Sequence, residues 1–325
     1  MSMRRRLLIR WWEEGHIDPR SLPEALRLAR VYPSLGTWLL GMDRLLFWLG
    51  TALLLSGVLT FFAANWGSLG RFGRFLLIDL IIVGAVGAMW RFGMDSPAGR
   101  GAMFIAVIGV GVLLVLIGQV YQMGADPYQL IAAWVVLILP WVVLGRFAPL
   151  WLFWLVLLNL AVYLYFSTFG GLLAMTLGPD RFLWLAFAIN TSALVIWEIA
   201  AYRGARWLKG RFGPRLLGIG SGVPMTVLAV QAILEWKGYR GLFDILAWFV
   251  GSAGTFLVYR WLVLDVFLLA GGVLSVIVII VSVLMHLGLG MGVDAFALLV
   301  VAIVVLLLSS AGAWWLTRVA NIEDT

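Results

Sequence analysis

The chain has 325 residues, of which 63% are hydrophobic and 12% are charged, and its formal net charge is +7. A single aqueous core cannot bury that much apolar surface at this length, so lipid must cover the remainder and a soluble globular fold is excluded. The basic residues lie in short loops between apolar runs, which argues against nucleic acid as a partner. The chain has no cysteine, which excludes disulfides, thiolate catalysts and iron–sulfur clusters.

Residues 1–44 predict a small helical hairpin. Arg4–Glu14 has leucines and tryptophans on one side, and Gly15 then ends this helix as a C-terminal cap. Ser21 and Glu24 match a capping box at the start of a second helix. The segment lacks the early apolar region of a signal peptide, so we expect the first apolar run to stay as an anchor. The hairpin is expected to pack on the membrane helices, on lipid headgroups or on a protein partner, because it buries little by itself.

Ten apolar runs are long enough to cross a bilayer, which needs roughly 20 apolar residues. They predict an all-α, polytopic transmembrane helical bundle with short loops between the spans. The runs are Leu45–Ala64, Phe72–Trp90, Gly101–Tyr121, Tyr128–Gly145, Pro149–Phe166, Phe182–Ala201, Leu216–Leu234, Leu242–Tyr259, Leu262–Met285 and Ala295–Leu316.

The distribution of Lys and Arg predicts that both termini lie in the cytosol. With ten spans and a cytosolic N-terminus, 18 of the 23 basic residues fall in cytosolic segments and 5 fall outside, as the positive-inside rule requires. Tryptophans at the ends of the runs mark the same membrane boundaries. We divide the chain into the cytosolic hairpin at 1–44, an N-terminal membrane domain of five spans at 45–166 and a C-terminal membrane domain of five spans at 167–325.

Four polar residues in or beside the spans are candidate functional positions. Asp79 lies inside the second span, where a buried charge costs about 3 kcal/mol or more, so it is either an ion or proton site or a partner of Arg74. Asn65 ends the first span and either caps the helix or binds a ligand. Asn190 and Gln231 are uncharged polar residues of spans, which form interhelical hydrogen bonds or line a substrate path.

The stretch Gly218–Pro224 is unusual because glycines and a proline cluster inside a span. One interpretation is a broken or kinked helix, and transporters use broken helices to present backbone groups to a substrate. The interpretation that we favour is a flexible entry to the span, with the helix itself beginning near Val223, because proline is tolerated in the first turn of a helix.

Two further acids lie near span ends. Glu198 is close in sequence to Arg203, and Asp265 follows Arg260. A charged side chain near the end of a span can reach the headgroup region, so we expect both acids to be interface residues. The chain has two histidines, and neither has the spacing to acids that is typical of a metal site.

Several motifs in the first half of the chain occur in a fixed order. Trp12–Asp18 reads Trp-Glu-Glu-Gly-His-Ile-Asp, the first span ends in Phe-Phe-Ala-Ala-Asn-Trp at Phe61–Trp66, and the second opens with basic and aromatic residues at Arg71–Arg74. With these motifs, residues 5–165 resemble a domain-of-unknown-function family of predicted multi-pass bacterial inner-membrane proteins. The resemblance implies a helical bundle in the bacterial inner membrane, and it implies no reaction and no functional residues.

Two hypotheses from different classes of protein follow. The first is a membrane scaffold or regulatory protein whose hairpin docks a protein partner, since the spans carry few charges and no catalytic pattern. The second is a secondary transporter of a small solute, in which two sets of five spans form inverted repeats. We expect no enzymatic activity, no cofactor, no metal and no nucleic-acid partner. The expected environment is the lipid bilayer of the cell's inner membrane.

Overall fold

The computed structural model of the chain consists of helices joined by short turns. It describes residues 3–28, 35–65, 67, 70–121, 124, 126–169, 181–235, 238–289 and 295–323. Helices account for 89% of these residues, and none of the residues in these ranges lies in a β-strand. The helices are α1 (Met3–Glu13), α2 (Leu22–Leu28), α3 (Leu35–Asn65), α4 (Arg71–Phe92), α5 (Pro97–Tyr121), α6 (Pro127–Gly145), α7 (Ala148–Thr168), α8 (Arg181–Tyr202), α9 (Phe212–Leu234), α10 (Tyr239–Leu257), α11 (Val266–Leu289) and α12 (Ala295–Glu323).

Helices α3 to α12 are the ten that are long and apolar enough to cross a membrane in the described part of the chain. This confirms the predicted all-α bundle of about ten spans. The first of them begins at Leu35 rather than Leu45, because a helix satisfies its own backbone beyond the apolar part of its sequence. The ninth begins at Val266 rather than Leu262, because a separate turn occupies the residues before it. The orientation of the termini and the division into two five-span domains stay predictions.

The first compact unit of the structure, Met1–Arg74, begins with the hairpin. The N–H of Gly15 donates to the carbonyl oxygen of Trp12 at 3.1 Å, and the N–H of His16 donates to that of Trp11 at 2.8 Å. Gly15 has a φ of 76°, which a glycine adopts without steric cost. These two hydrogen bonds form a Schellman motif and confirm that Gly15 caps α1.

Asp18 organises the turn between α1 and α2. The N–H of Arg20 donates to the Asp18 carboxylate at 2.8 Å, and the hydroxyl of Ser21 donates to the Asp18 carbonyl oxygen at 2.9 Å. The predicted second helix is confirmed, but the Ser21 hydroxyl points back to Asp18 rather than forward to Glu24. An aspartate carboxylate reaches the backbone N–H two residues later, and the resulting turn competes with a capping box.

The second compact unit, Phe75–Glu323, contains three clusters of buried apolar side chains. The first joins α4 to α7, the second joins α7 to α9, and the third joins the region before α11 to α11 and α12. The buried members are Met89, Ala102, Met103, Val107, Val135, Ile138, Val142, Phe147, Leu150 and Leu157 in the first cluster, Leu152, Leu155, Trp197, Leu208 and Leu217 in the second, and Tyr259, Leu268, Leu269 and Val319 in the third.

Two tryptophans connect successive helices in the first cluster. The indole N–H of Trp134 in α6 donates to the carbonyl oxygen of Val107 in α5 at 2.9 Å, and that of Trp154 in α7 donates to Val135 in α6, also at 2.9 Å. The ring of Trp134 lies where a Cβ on Gly111 would be. A buried indole needs an acceptor for its one N–H, and the second lone pair of a helical carbonyl provides it.

Helix α9 continues without a break through Gly218–Pro224. The helix is therefore neither broken there nor begins near Val223, so these two interpretations are wrong, and a kink in this stretch stays a prediction. A Cβ on Gly218 would overlap the side chain of Leu268 in α11, and α8 approaches the same helix at Gly220. The glycines allow two neighbouring helices to come close to the backbone of α9, which is the usual role of small residues between membrane helices.

We expect Gly213→Ala to lower the free energy of unfolding by about 1–3 kcal/mol, because overpacking a buried site forces its neighbours apart. A Cβ at this position overlaps the buried ring of Trp197. Gly222→Ala, in the same helix, is the matched control, because nothing lies within 4 Å of its Cβ and alanine favours a helix. Thermal unfolding of the purified variants in one detergent measures both, and equal stability of the two variants contradicts the packing described for α9.

Candidate functional site

The structure places the four predicted positions in different surroundings. Asn65 is the last residue of α3, and its side chain lies outside the described residues. Asp79 is an exposed residue of α4, and both of its predicted roles, an ion or proton site and a partner of Arg74, stay predictions. Asn190 and Gln231 lie on the adjacent helices α8 and α9. Asn190 faces Gly220 of α9, and Gln231 lies about 16 Å farther along α9 than Gly220. The amides of Asn190 and Gln231 therefore do not form one site.

Asn190 joins three helices through its amide. Its Nδ2 donates to Oδ1 of Asn159 in α7 at 2.9 Å and to the carbonyl oxygen of Ala186 at 2.8 Å. A Cβ on Gly220 of α9 would lie 2.9 Å from the Asn190 amide, and only 7% of Asn190 is exposed. The interhelical hydrogen bond suggested by the sequence is thus formed, and it satisfies a polar group that lipid could not.

Hydroxyl groups make further contacts between the same helices. The hydroxyls of Thr191 in α8 and Ser221 in α9 are 2.6 Å apart. The hydroxyls of Thr226 in α9 and Ser275 in α11 are 2.7 Å apart, and the indole N–H of Trp248 in α10 donates to Ser275 at 2.8 Å. Polar groups on α8, α9, α10 and α11 therefore bond to one another inside the unit.

The region near the C-terminal end of α9 has a different character. The indole N–H of Trp184 in α8 donates to the buried carboxylate of Asp244 in α10 at 3.1 Å. Gln231 is half-buried, and its Oε1 is buried with no hydrogen-bond partner among the described residues. The sequence singled out Gln231, but it gave no sign of the buried Asp244 because this acid lies in the first turns of a span, where an interface position is the usual one.

Four charged residues meet at one end of the second unit: Glu198 near the end of α8, Arg211 and Arg215 at the start of α9, and Asp265 just before α11. Nη1 of Arg211 donates to the two carboxylate oxygens of Glu198 at 3.0 and 3.2 Å, and its Nε donates to Oδ2 of Asp265 at 2.8 Å. Nε of Arg215 is 3.2 Å from both carboxylate oxygens of Asp265. These four residues are hereafter the four-charge cluster, and their charges sum to zero.

Asp265 has the most buried side chain of the cluster, with 0% of it exposed. Besides both arginines, its Oδ1 accepts the backbone N–H of Phe267 at 3.0 Å and that of Leu268 at 3.4 Å. These two N–H groups belong to the first turn of α11, so the carboxylate also caps that helix. A buried carboxylate is tolerated only with such a full set of donors.

Tyr259 adds a neutral group to the cluster. Its hydroxyl donates to Oε1 of Glu198 at 3.1 Å, and its buried ring lies 5.8 Å from the guanidinium carbon of Arg211. It belongs to a π-helical turn, Val258–Leu262, that follows α10 directly. The wider turn ends α10 and allows the N–H of Asp265 to donate to the carbonyl oxygen of Tyr259 at 3.3 Å.

A short, well-defined loop brings Glu198 opposite the arginines. Helix α8 ends in a Schellman motif, in which the N–H of Gly204 donates to Ala201 at 3.2 Å and the N–H of Ala205 donates to Ala200 at 3.0 Å. Gly204 has a φ of 101°, which explains why glycine is found there. A 3₁₀ turn at Arg206–Leu208 then leads into α9.

Both acids of the cluster were expected to be interface residues that reach the headgroup region. The side chain of Asp265 is instead fully buried and that of Glu198 is 17% exposed, and both acids bind Arg211. Residues that are adjacent in sequence at the end of a helix point in different directions, whereas the loops bring residues of distant helices to the same end. The available signal was the alternation of the spans, which places two acids and two arginines at one end of the bundle.

The cluster has the chemistry of a structural clamp. Each carboxylate is held by arginine, and no group of three or more histidines or acids that could hold a metal ion is found within the described residues. Three helices and the π turn contribute to one neutral network, so the contacts among α8, α9 and α11 depend on each other at this end.

Residues 9–151 match the family model described as "Predicted membrane protein (DUF2157)". This match confirms the family resemblance inferred from the first half of the chain. The DUF2157 segment includes most of the hairpin, helices α3 to α6 and the beginning of α7, and the four-charge cluster lies outside it. Neither the curated proteins nor the solved structures include a match to the chain.

We expect Asp265→Asn to lower the free energy of unfolding by about 3 kcal/mol or more, because it leaves two arginines without their shared carboxylate. Asn keeps the shape and the capping ability of the side chain. Asp95→Asn is the matched control, because the Asp95 carboxylate is 99% exposed and 4.0 Å from Arg100. The thermal midpoint of Asp95→Asn should equal that of the wild type. If Asp265→Asn were as stable as the wild type, the four-charge cluster would contribute nothing to the stability.

Acid should destabilise the protein through Asp265. Burial of its carboxyl group acts to raise the pKa, but the hydrogen bonds from Arg211 and Arg215 outweigh it, so the pKa lies below its ordinary value of 3.8. Such a carboxylate stabilises the fold fully above its unfolded-state pKa, and this stabilisation is lost as the pH falls through the folded-state pKa. The temperature of the thermal midpoint should therefore decrease once the pH is below about 4. The fall should be smaller in Asp265→Asn, and equal falls contradict this assignment.

Proposed function

We propose that the protein is a membrane-anchored scaffold or regulatory protein, without enzymatic activity, whose N-terminal hairpin binds a protein partner. The membrane helices serve as a fixed anchor in this proposal, and the hairpin, which is predicted to lie in the cytosol, provides the docking surface. The membrane character of the chain follows from its ten apolar helices and from the family match.

The observation that carries the proposal is the way polar groups are used inside the second unit. The amides of Asn159 and Asn190, and the hydroxyls of Thr191, Ser221 and Ser275, bond to groups on neighbouring helices. A transport path needs polar groups that exchange partners with a moving solute. Groups that are already bonded across helices instead hold the helices in one arrangement, which suits an anchor.

The hairpin offers a surface that a partner could cover. Leu7, Trp11 and Trp12 of α1 are 38%, 49% and 40% exposed. Exposed aromatic and aliphatic side chains on one short helix are typical of a protein–protein contact, in which tryptophan often contributes most of the affinity. The Schellman motif at Gly15 and the Asp18 turn fix the hairpin, so little conformational entropy is lost on binding.

A photoreactive amino acid in place of Trp12, in the full-length chain in its own membrane, tests the docking surface. We expect one discrete protein adduct from this position and none from Arg20, which is exposed in the turn of the same hairpin. Adding Leu7→Glu should reduce the adduct about tenfold, as the loss of a central apolar contact does. The same adducts from both positions, or no adduct from Trp12, would contradict the proposed docking.

Transport of a small solute is the competing function, and a flux assay separates the two. The purified full-length protein in liposomes is expected to move neither protons nor a panel of small solutes faster than protein-free liposomes. Flux that Asp79→Asn abolishes, and that the exposed control Asp95→Asn leaves unchanged, would establish a transporter and overturn the scaffold proposal.

A further inference from the structure

The loop between α8 and α9 carries three exposed cations. Arg203, Arg206 and Lys209 are all exposed, and none of them takes part in an ion pair among the residues that the structure describes. Two acids at this end of the unit, Glu198 and Asp265, are held by arginines of the four-charge cluster. The loop therefore presents positive charge that no ion pair of the described residues neutralises.

The backbone of this loop is held in place from both sides. The indole N–H of Trp197 in α8 donates to the carbonyl oxygen of Leu208 at 3.0 Å, and Leu208 is buried in the second apolar cluster. The ring of Trp207 stacks on that of Trp151 in α7, with centroids 6.4 Å apart. Together with the Schellman motif at Gly204, these contacts fix the positions from which the three cationic side chains project. A ligand would meet a preorganised set of charges.

The position of the loop identifies the kind of anion that it meets. It joins two apolar spans, Phe182–Tyr202 and Phe212–Leu234, so it lies at the level where a bilayer has its headgroups. Tyr202 and Phe212, at the two ends of the loop, are strongly exposed, as aromatic residues at this level are. Lysine and arginine side chains close to an anionic bilayer surface each add to lipid binding.

We propose that Arg203, Arg206 and Lys209 form a binding site for the phosphate headgroup of an anionic phospholipid. The apolar flanks of α8 and α9 lie along the acyl chains, and the three cations surround the headgroup phosphate. The neutral four-charge cluster beneath the loop prevents Glu198 and Asp265 from repelling the lipid. This site is separate from the hairpin, and it does not depend on the function proposed above.

The test uses the full-length protein in phosphatidylcholine vesicles doped with a spin-labelled phospholipid. Electron paramagnetic resonance measures the fraction of label that the protein immobilises. We expect spin-labelled phosphatidylglycerol to be preferred over spin-labelled phosphatidylcholine by about fivefold or more, the change that a single basic contact at a membrane surface produces. The preference should fall close to one in the triple variant Arg203→Gln, Arg206→Gln, Lys209→Gln.

The control removes the same charge elsewhere. The variant Arg10→Gln, Arg91→Gln, Arg240→Gln changes three exposed arginines on three other helices and should keep more of the preference than the loop variant, because its three arginines do not lie in one loop. Thermal unfolding should be the same for both triple variants and the wild type, since the replaced loop side chains make no described hydrogen bond.

A wild type without preference, or a loss of preference that is equal in both triple variants, would overturn the proposal. Loss of the preference on adding inorganic phosphate at constant ionic strength would also overturn it, because the site would then bind a free anion.

Discussion

A carboxylate with no exposed surface has to find all of its hydrogen-bond donors inside the protein, and Asp265 imposes this requirement on one end of the second unit. Two arginines of α9 and two backbone N–H groups of α11 supply the donors. Because Arg211 also binds Glu198 of α8, the three helices cannot move independently there without breaking a charge-assisted hydrogen bond. The π turn completes the arrangement, since it brings Tyr259 to Glu198.

In the middle of the same helices, other interactions hold the neighbouring helices together in lipid. Lipid chains are as apolar as a neighbouring helix, so the hydrophobic effect does not favour contact between two helices. Close backbone approach and hydrogen bonds have to provide the attraction between them. Helix α9 has both, because Gly218 and Gly220 admit its neighbours and Ser221 and Thr226 bond to them. One helix thus contacts α8, α10 and α11, which explains why its sequence mixes glycine, proline and hydroxyl residues within two turns.

The spans were predictable because the thickness of the bilayer sets a length that any apolar run has to meet, and the end of α1 was predictable because Gly15 acts on adjacent residues. The contacts that define the polar sites were not predictable from the sequence. Arg211 and Asp265 are 54 residues apart, and nothing in the local sequence of either indicates the other. The Gly218–Pro224 stretch was misinterpreted for the same reason, since its composition suggests flexibility whereas its role depends on Leu268 of another helix. Asn190 was identified as a candidate, but its partner Asn159 became known only from the packing.

The order in which the four-charge cluster is synthesised gives its arginines two successive roles. Arg211 and Arg215 leave the ribosome together, roughly fifty residues before Asp265. When α9 enters the bilayer, their shared carboxylate has not yet been made and only Glu198 of α8 precedes them, so the two arginines carry a net positive charge, which is the signal that retains their end of the span on one side of the membrane. After α11 has inserted, Asp265 pairs with both arginines, and the charges that helped to set the topology become the contact that fastens the finished helices.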